Sequence, residues 1–379
     1  MILKNATVFN GDFEKVRADV AIEGERISKI GDLSGEDELD LTDMTVMPGL
    51  IDIHIHGCGG ADAGDATPEA LETMSQTLVK NGITSFCPAS MTLSFEELTK
   101  IFANIDEMKN KVGGAYIHGA NMEGPYIAMS KKGAQNPLYV RNPDKEEFKR
   151  LFDGCNGSIK VVDIAPECDG GDEFIKDIQP ICPVSIAHTD AGYDEAVHAI
   201  ELGVRHITHL FNAQSGLHHR KPGVVGAAFD VGKEKGVRAE LICDGFHIHP
   251  ATLRIAFRAM GEDGTVIVSD SMKAAGCPDG DYDLGGQPVY VRDGKALLAD
   301  GTIAASTSNV YKELKNVISF GIPEKQAVKS ATINPAKAIR ADKETGSIEE
   351  GKLADILVVD KDYNIRLVIV KGKIKVNNL

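Results

Sequence analysis

The stretch VMPGLIDIHIH, residues 46–56, is an apolar run that ends in two histidines, and it is the first of eight similar runs along the chain. The other seven are GITSFCPAS (82–90), AYIHGANMEG (115–124), VVDIAPE (161–167), VSIAHTD (184–190), HITHLFNA (206–213), AELICDGFHIH (239–249) and TVIVSD (265–270). Segments with apolar residues at helical spacing separate several of the runs, for example residues 67–82, 94–112, 193–203 and 249–260. This alternation is typical of strand–helix units in a parallel sheet.

Eight strand–helix units favour an α/β fold in which the strands close into a TIM-like (β/α)8 barrel. An open doubly wound sheet is the alternative, because periodicity alone does not show closure. Residues 1–47 and 346–379 differ from the middle of the chain, since they carry short alternating runs broken by Gly and Asp. We therefore predict a small β-sandwich domain built from both chain termini, 1–47 plus 346–379, and a barrel over 48–345.

Composition narrows the class of protein. Across 379 residues, 41 basic and 56 acidic side chains give a formal charge of −15, which argues against nucleic acid or an anionic membrane as partner. The first residues do not resemble a signal peptide, and no run approaches the length of a membrane span. Seven scattered cysteines form no Cys-x-x-Cys pair, which favours buried thiols in a reducing cytoplasm. We expect a cytoplasmic enzyme that acts on a small molecule.

Residue types that bind metals stand at the ends of the apolar runs. In such barrels the chemistry gathers at the C-terminal strand ends, and five of the 11 histidines lie there. Imidazole and carboxylate together are the ligand set of zinc or another first-row divalent ion. The sequence therefore predicts a metal site. The residues that close the runs are His54, His56, Glu123, Glu167, His188, His209, Asp244, His247 and Asp270.

Spacing and context separate the roles of these residues. His54 and His56 are two positions apart, so an extended strand would place both side chains on one face. Gly124 and the proline after it are expected to end the strand just beyond Glu123 and aim that carboxylate inward. Asp270 follows a wholly apolar run and is interpreted as a general acid/base, with a hydrogen-bond partner of a ligand histidine as the alternative. Glu167 receives no assigned role.

A basic segment, His218–Lys221, follows the sixth run in this otherwise acidic chain. Such a segment is usually a solvated surface, but above a metal-bearing strand Arg220 is suited to clamp a phosphate or carboxylate. The remaining histidines are expected outside the metal site, most of them on helix surfaces or in loops: His118, His198, His206, His218, His219 and His249.

Several segments together resemble the N-acetylglucosamine-6-phosphate deacetylases of the amidohydrolase superfamily, over nearly the whole chain. PGLIDIHIHG and GKLADILVVD are shared broadly in the superfamily, whereas EGPYI, HLFNA and SDSMKAAG are more specific. The matching segments are PGLIDIHIHG (48–57), MEGPYI (122–127), KKGAQNP (131–137), AHTDAG (187–192), THLFNAQSGLHHRKPGVVG (208–226), DGFHIHP (244–250), VSDSMKAAG (268–276), TINPAKAI (332–339) and GSIEEGKLADILVVD (346–360).

The resemblance implies hydrolysis of an N-acetylated amino-sugar phosphate to acetate and the free amine. It implies that Glu123, His188 and His209 bind the main metal and that Asp270 is the catalytic acid/base. His247 would polarise the acetamide carbonyl, and Arg220 would hold the 6-phosphate. The full set of substrate-binding positions that the resemblance implies is Ala134, Gln135, Asn212, Ala213, Arg220, Asp244, Gly245, Phe246, His247, Ile303, Ala304 and Ala305.

Two points vary among proteins of this kind. Some carry a histidine for the sugar phosphate where this chain has Gln135, which puts that contact in doubt. Some lack the paired histidines of the first strand, whereas His54 and His56 are present here, so we expect one or two divalent ions per subunit. Zn²⁺ is favoured, with Fe²⁺, Mn²⁺ or Co²⁺ as alternatives, and the resemblance implies a homodimer.

Two other functions stay open at this point. The chain could be another amidohydrolase, acting on a cyclic amide or deaminating a base, although the basic segment 218–221 weighs against this. It could also be a barrel that binds a sugar phosphate without catalysis, although Asp270 weighs against that.

Overall fold

The computed structural model describes residues 1–379 as a barrel and a smaller sheet formed by both ends of the chain. In chain order the strands are β1 (Ile2–Phe9), β2 (Lys15–Glu23), β3 (Arg26–Gly31), β4 (Glu38–Asp40), β5 (Thr45–Pro48), β6 (Leu50–Ile55), β7 (Gly57–Cys58), β8 (Ala61–Asp62), β9 (Ile83–Pro88), β10 (Tyr116–Ile117), β11 (Ala120–Tyr126), β12 (Ile159–Ile164), β13 (Val184–Ile186), β14 (His206–Ile207), β15 (Arg238–Leu241), β16 (Thr265–Ile267), β17 (Gly280–Leu284), β18 (Gln287–Arg292), β19 (Lys295–Leu297), β20 (Ile303–Ala305), β21 (Ile356–Val359), β22 (Ile365–Val370) and β23 (Lys373–Asn377).

Helices connect the strands of the barrel and surround it. They are α1 (Pro68–Lys80), α2 (Phe95–Met108), α3 (Lys145–Gly154), α4 (Gly171–Ile178), α5 (Tyr193–Glu201), α6 (Gly223–Asp230), α7 (Gly232–Lys235), α8 (Pro250–Met260), α9 (Val310–Ser319), α10 (Glu324–Ala331) and α11 (Ile333–Ala338), with short 3₁₀ helices at Ala63–Asp65 and Met129–Lys131. No helix is both long and apolar enough to cross a membrane.

The parallel strands close into a barrel. One set runs β6, β9, β10 and the other runs from β11 to β16, and the pairing of Ala89 with Asn121 joins the two sets. On the opposite side the backbone N–H of Asp270 donates to the carbonyl of His54 at 2.9 Å, which connects the end of the eighth strand unit to the first. Closure rules out the open doubly wound sheet and confirms the predicted fold class.

Local sequence explains where the helices begin, as α2 illustrates. The Ser94 hydroxyl accepts a hydrogen bond from the N–H of Glu97 at 3.3 Å, and the Glu97 carboxylate accepts one from the N–H of Ser94 at 3.0 Å. This reciprocal pair satisfies donors that the first helical turn leaves free. One face of α2, which includes Ile101 and Phe102, is buried in the large apolar cluster that fills the space between barrel and helices. Burial of that face holds the helix against the barrel.

The terminal sheet combines both ends of the chain, as predicted. Its strand order is β23-β22-β21-β5-β1-β2-β3, with β4 also paired to β1, and it encloses an apolar cluster of its own. The first apolar run of the sequence is therefore divided between two sheets, because β5 belongs to this sheet and β6 to the barrel. Gly49, between the two strands, allows the chain to pass from one sheet to the other, since a Cβ there would overlap the side chain of Thr84. The exact domain boundaries remain our proposal, with residues 1–47 plus 346–379 in the small β-domain and residues 48–345 in the barrel.

The third strand unit differs from the sequence expectation. The run 115–124 forms two pieces, β10 and β11, and β11 continues to Tyr126 instead of ending just after Glu123. Gly124 has φ of 69°, and a Cβ there would overlap the Thr92 hydroxyl. The glycine is therefore needed for a shift of register inside the strand, which still directs Glu123 inward.

An antiparallel sheet, β17 to β20, follows the eighth barrel strand and was not predicted from the sequence. It packs through a small apolar cluster that includes Met91, Met272 and Leu284. The sheet brings residues 303–305 to the C-terminal end of the barrel, where the predicted site residues lie.

Candidate metal centre and active site

Three of the predicted ligands meet at one point. Oε1 of Glu123 lies 3.0 Å from Nε2 of His188 and 3.0 Å from Nε2 of His209, and the two nitrogens are 3.2 Å apart. Ligand atoms bound to one tetrahedral zinc at about 2.0 Å are separated by roughly 3.3 Å. The three side chains are buried. Their spacing therefore fits a single divalent ion.

The backbone turns sharply to present the two histidines. His188 and His209 each follow a barrel strand by two residues and have φ of 43° and 29°. Nδ1 of His188 hydrogen-bonds the carbonyl of Lys131 at 2.8 Å, which leaves Nε2 facing Glu123. Glu167, to which the sequence assigned no role, accepts hydrogen bonds from the Thr189 hydroxyl and from the N–H of the next residue. It thereby holds the turn that follows His188.

His54 and His56 form a second group with the same glutamate. Nε2 of His54 is 3.6 Å from Oε1 of Glu123, and Nε2 of His56 is 3.4 Å from Oε2. Nε2 of His54 is buried and has no hydrogen-bond partner. A buried imidazole nitrogen without a partner is costly unless it binds an ion, so the donor set fits a second metal position. Glu123 is common to both groups: Oε1 faces His188, His209 and His54, and Oε2 faces His56.

Asp270 lies beside the second group. Its Oδ1 is 3.3 Å from Nε2 of His56 and 3.7 Å from Nε2 of His54, and its φ is 44°. Burial by itself would raise the pKa of Asp270, but the neighbouring histidines outweigh burial and hold that pKa below its ordinary value. Burial likewise acts to raise the pKa of Glu123, and hydrogen bonds from His188, His209 and His56 lower it well below its usual range. Both carboxyl groups therefore favour the ionised form, which suits the binding of a cation.

A cavity of about 390 Å³ opens above these groups. Its size is typical of a pocket for a small molecule. Besides the groups already described, seven of the predicted substrate-binding residues line it: Ala134, Gln135, Asn212, Ala213, His247, Ile303 and Ala304.

Asp244 supports His247. Oδ2 of Asp244 is 2.7 Å from Nδ1 of His247, and Oδ1 accepts the N–H groups of Phe246 and His247 at 2.8 and 2.9 Å. This leaves Nε2 of His247 free to face the cavity. Burial acts to raise the pKa of Asp244, but the bond from His247 outweighs it and lowers that pKa. Asp244, Phe246 and Ala305 line a neighbouring cavity of about 220 Å³ that shares His247 and Ile303 with the first.

Gln135 is buried and turned onto the metal ligands. Its side-chain amide donates to Oε2 of Glu123, and its carbonyl accepts the N–H of Thr92. The residue therefore lies at the edge of the second metal position, and its role as a substrate-binding residue stays a prediction.

Arg220 and Gly245 do not line the cavity. Arg220 lies on an exposed loop and forms no ion pair within the chain. The cation that does line the cavity is Lys131, whose Nζ is 3.3 Å from the Asp190 carboxylate. Sequence reasoning missed Lys131, although it stands in the KKGAQNP segment. It also missed Glu240, which is buried behind the metal ligands. His206 bonds to Glu240 and lies outside both groups of candidate ligands, but it is a buried residue of β14 and not part of a helix surface or loop.

Comparison with known proteins gives a consistent result. Residues 45–375 match the amidohydrolase family. The N-acetylglucosamine-6-phosphate deacetylase of Bacillus subtilis (strain 168) is 37% identical over 338 residues, which cover 88% of this chain and 85% of that protein. The N-acetylgalactosamine-6-phosphate deacetylase of Escherichia coli O157:H7 is 30% identical over 330 residues, covering 86% of each chain.

A solved structure extends the likeness to the whole fold. A mutant N-acetyl-D-glucosamine-6-phosphate deacetylase from Mycobacterium smegmatis, in complex with N-acetyl-D-glucosamine-6-phosphate, superposes with a TM-score of 0.92. The two sequences are 29% identical, and the match covers 99% of this chain and 98% of the other.

Proposed function

The chain belongs to the amidohydrolase family, and we propose that it hydrolyses N-acetyl-D-glucosamine 6-phosphate to D-glucosamine 6-phosphate and acetate. This reaction would serve the breakdown and recycling of amino sugars. One observation carries the proposal. Glu123 lies between two pairs of histidines, with Asp270 3.3 Å from His56, beneath a cavity of about 390 Å³. A cation-binding group with an adjacent ionised carboxylate is what hydrolysis of an unactivated amide requires.

The metal ligands that we propose are Glu123, His188 and His209, with His54 and His56 adding a second position. We propose Zn²⁺, with Fe²⁺, Mn²⁺ or Co²⁺ as alternatives, because imidazole nitrogen and carboxylate oxygen suit this group of ions. Such an ion, when bound, would supply Lewis acidity that lowers the pKa of water toward about 7.

The residues of the chain then handle the protons. Asp270 accepts a proton from the water that attacks the acetamide carbonyl carbon. Nε2 of His247 donates a hydrogen bond to the carbonyl oxygen as negative charge develops on it, and Asp244 beside Nδ1 stabilises the positive charge on that ring. Asp270 returns the proton to the nitrogen as the C–N bond breaks, since an amine leaves far more readily when protonated.

We propose that the sugar occupies the cavity against the loops that carry Ala134, Gln135, Asn212 and Ala213 and against Ile303 to Ala305 from the added sheet. Asp244, Gly245 and Phe246 belong to the loop that holds His247. Arg220 is proposed to bind the 6-phosphate, and the position of Lys131 in the cavity wall makes it a second candidate for that contact.

Acetate release by the purified protein tests the proposal. We expect hydrolysis of N-acetylglucosamine 6-phosphate, with much weaker turnover of unphosphorylated N-acetylglucosamine. N-acetylgalactosamine 6-phosphate belongs in the same assay, because one of the relatives is named for that epimer. Turnover only of a cyclic amide or of an aminated base would favour another amidohydrolase activity, and binding without acetate release would favour a catalytically silent barrel.

We further propose that the protein is a cytoplasmic homodimer. All seven cysteines are free, which suits a reducing compartment. Leu138, Leu217 and Phe246 are large apolar side chains exposed on loops, and association of two subunits through them would remove their surface from water. Sedimentation analysis measures the assembly directly.

A further inference from the structure

A buried carboxylate on β15 connects the two proposed metal positions without belonging to either. Glu240 is fully buried and lies outside both groups of candidate ligands. Its Oε2 is 2.9 Å from Nδ1 of His54 and 3.2 Å from the backbone N–H of His209, and its Oε1 is 2.8 Å from Nε2 of His206. Three donors therefore converge on a charge that is otherwise expensive to bury.

The contact with His54 fixes how that ring can act. Because Nδ1 must donate its proton to the Glu240 carboxylate, the neutral ring carries its lone pair on Nε2. Nε2 has no other partner and lies 3.6 Å from Oε1 of Glu123 and 3.7 Å from Oδ1 of Asp270. His56, by contrast, has no partner at Nδ1. Of these two histidines, only His54 has a carboxylate at Nδ1, the nitrogen that faces away from Glu123.

The contact with His209 reaches the other position. The N–H that Oε2 accepts belongs to a residue with φ of 29°, a conformation that side chains rarely adopt without support. From this backbone the His209 ring projects to within 3.0 Å of Glu123. One oxygen of Glu240 thus supports a ligand of each group. His206 occupies the other oxygen and keeps the carboxylate turned toward both.

We propose that Glu240 is a positioning residue that sets His54 for the second divalent ion and links that position to the backbone of His209, with His206 as its anchor. The inference rests on the proposed function for the identity of the site as a metal centre. The proposed role of Glu240 concerns the affinity for the ion, however, and that affinity is measured without any turnover of substrate.

A role limited to folding would leave a different signature. If Glu240 only satisfied buried donors, its replacement would lower the melting temperature and leave the affinity for both ions unchanged in whatever protein still folds. If Glu240 orients His54, the affinity for the second ion falls, and that loss disappears once His54 itself is gone.

The test titrates metal-free protein with Co²⁺ and follows visible absorption and bound metal per subunit. The variants are Glu240→Gln, Glu240→Leu, His54→Asn and the double variant His54→Asn/Glu240→Gln. Glu313→Gln is the matched control, because Glu313 is also a fully buried glutamate but bonds the N–H of Cys243 and touches no candidate ligand. Circular dichroism and melting curves establish that each variant is folded.

We expect the wild type and Glu313→Gln to bind two ions per subunit. Glu240→Gln should weaken the second ion about 10-fold, because an amide can accept at only one of its two ends, and Glu240→Leu should weaken it about 100-fold. The double variant should bind the second ion no more weakly than His54→Asn alone, since the two changes act through one ring. If Glu240→Leu does not fold, the comparison of wild type, Glu240→Gln, His54→Asn and their double variant still tests whether Glu240 acts through His54.

Three results would overturn the proposal: a wild type that binds a single ion, unchanged second-ion affinity in Glu240→Gln, or losses that add in the double variant. Failure of the proposed function gives a different pattern, in which the ion titrations follow the expectation but the wild type releases no acetate.

Discussion

Oδ1 of Asp270 lies 3.3 Å from Nε2 of His56, so the residue that closes the eighth strand unit meets a histidine that closes the first. The contact exists only because the barrel is closed. It places a carboxylate, whose pKa the two histidines lower, beside the second proposed metal position.

Replacement of Asp270 by Asn tests its role as acid/base. Asn has nearly the same shape but takes up no proton, so kcat should fall about 10²- to 10⁴-fold. Bound metal per subunit, measured by elemental analysis, should match the wild type, because Glu123 and the histidines remain. Near-normal kcat in a metal-loaded variant would remove Asp270 from proton transfer.

The pair of Asp244 and His247 supports a second prediction. Asp244→Asn loses the charge that faces Nδ1 of His247 at 2.7 Å, so the ring is less able to donate from Nε2. We expect kcat to fall about 10- to 100-fold, with a smaller change in KM. Steady-state kinetics provides both constants. An effect on KM alone would mean that this pair binds the sugar and does not act on the carbonyl.

Strand ends could be located from the sequence, but their backbone conformation could not. The apolar runs placed His188, His209 and Asp270 at the correct edge of the barrel. In the structure the strands stop two or three residues earlier, and all three residues have positive φ. Residue type does not reveal this conformation, because non-glycine residues adopt it only when surrounding contacts enforce it.

Glu240 shows a second limit of sequence reasoning. It stands in AELIC as one acidic residue in an apolar run, and a glutamate in such a run looks like a residue on the solvated side of a strand. Glu240 lies on β15, and its partners His54 and His206 lie on β6 and β14. Because β6 is the first barrel strand and β15 the seventh, Glu240 reaches His54 only in the closed barrel. The sheet of residues 280–305 escaped prediction for a related reason, since short polar strands lack a strong apolar pattern.

Arg220 and Lys131 provide alternative contacts for the phosphate. Loss of a charge-assisted hydrogen bond costs about 1.5–3 kcal/mol, so Arg220→Ala should raise KM for the phosphorylated sugar about 10- to 150-fold. Unphosphorylated N-acetylglucosamine is the control substrate, and its KM should not change. Lys131→Ala is the matched variant, since it removes a cation that lines the cavity but keeps the backbone carbonyl that His188 uses. If only Lys131→Ala raises KM, the phosphate contact belongs to Lys131.

Removal of the metal should affect both activity and stability. Dialysis against a chelator should abolish acetate release, and added Zn²⁺ should restore it. An ion present at 100 times its dissociation constant stabilises the folded state by about 2.7 kcal/mol, so the melting temperature should rise when the ion returns. The triple variant of Glu123, His188 and His209 to Ala is the control and should show no rise. Full activity after complete removal of metal would contradict the proposed mechanism.

Glu313 links stability to pH. Burial, followed by the nearby charge of Asp244, raises the pKa of Glu313 well above its ordinary value, so the folded protein favours the neutral carboxyl group. A raised pKa in the folded state means that this contribution to stability is fully present below the unfolded pKa of about 4.3 and is lost as the pH rises through the folded value. Glu313→Gln should remove this pH-dependent loss of stability, because glutamine does not ionise. Its melting temperature should therefore exceed that of the wild type increasingly as the pH rises from about 5 to 9, and a difference that stays constant with pH would show that Glu313 is ionised in the folded protein.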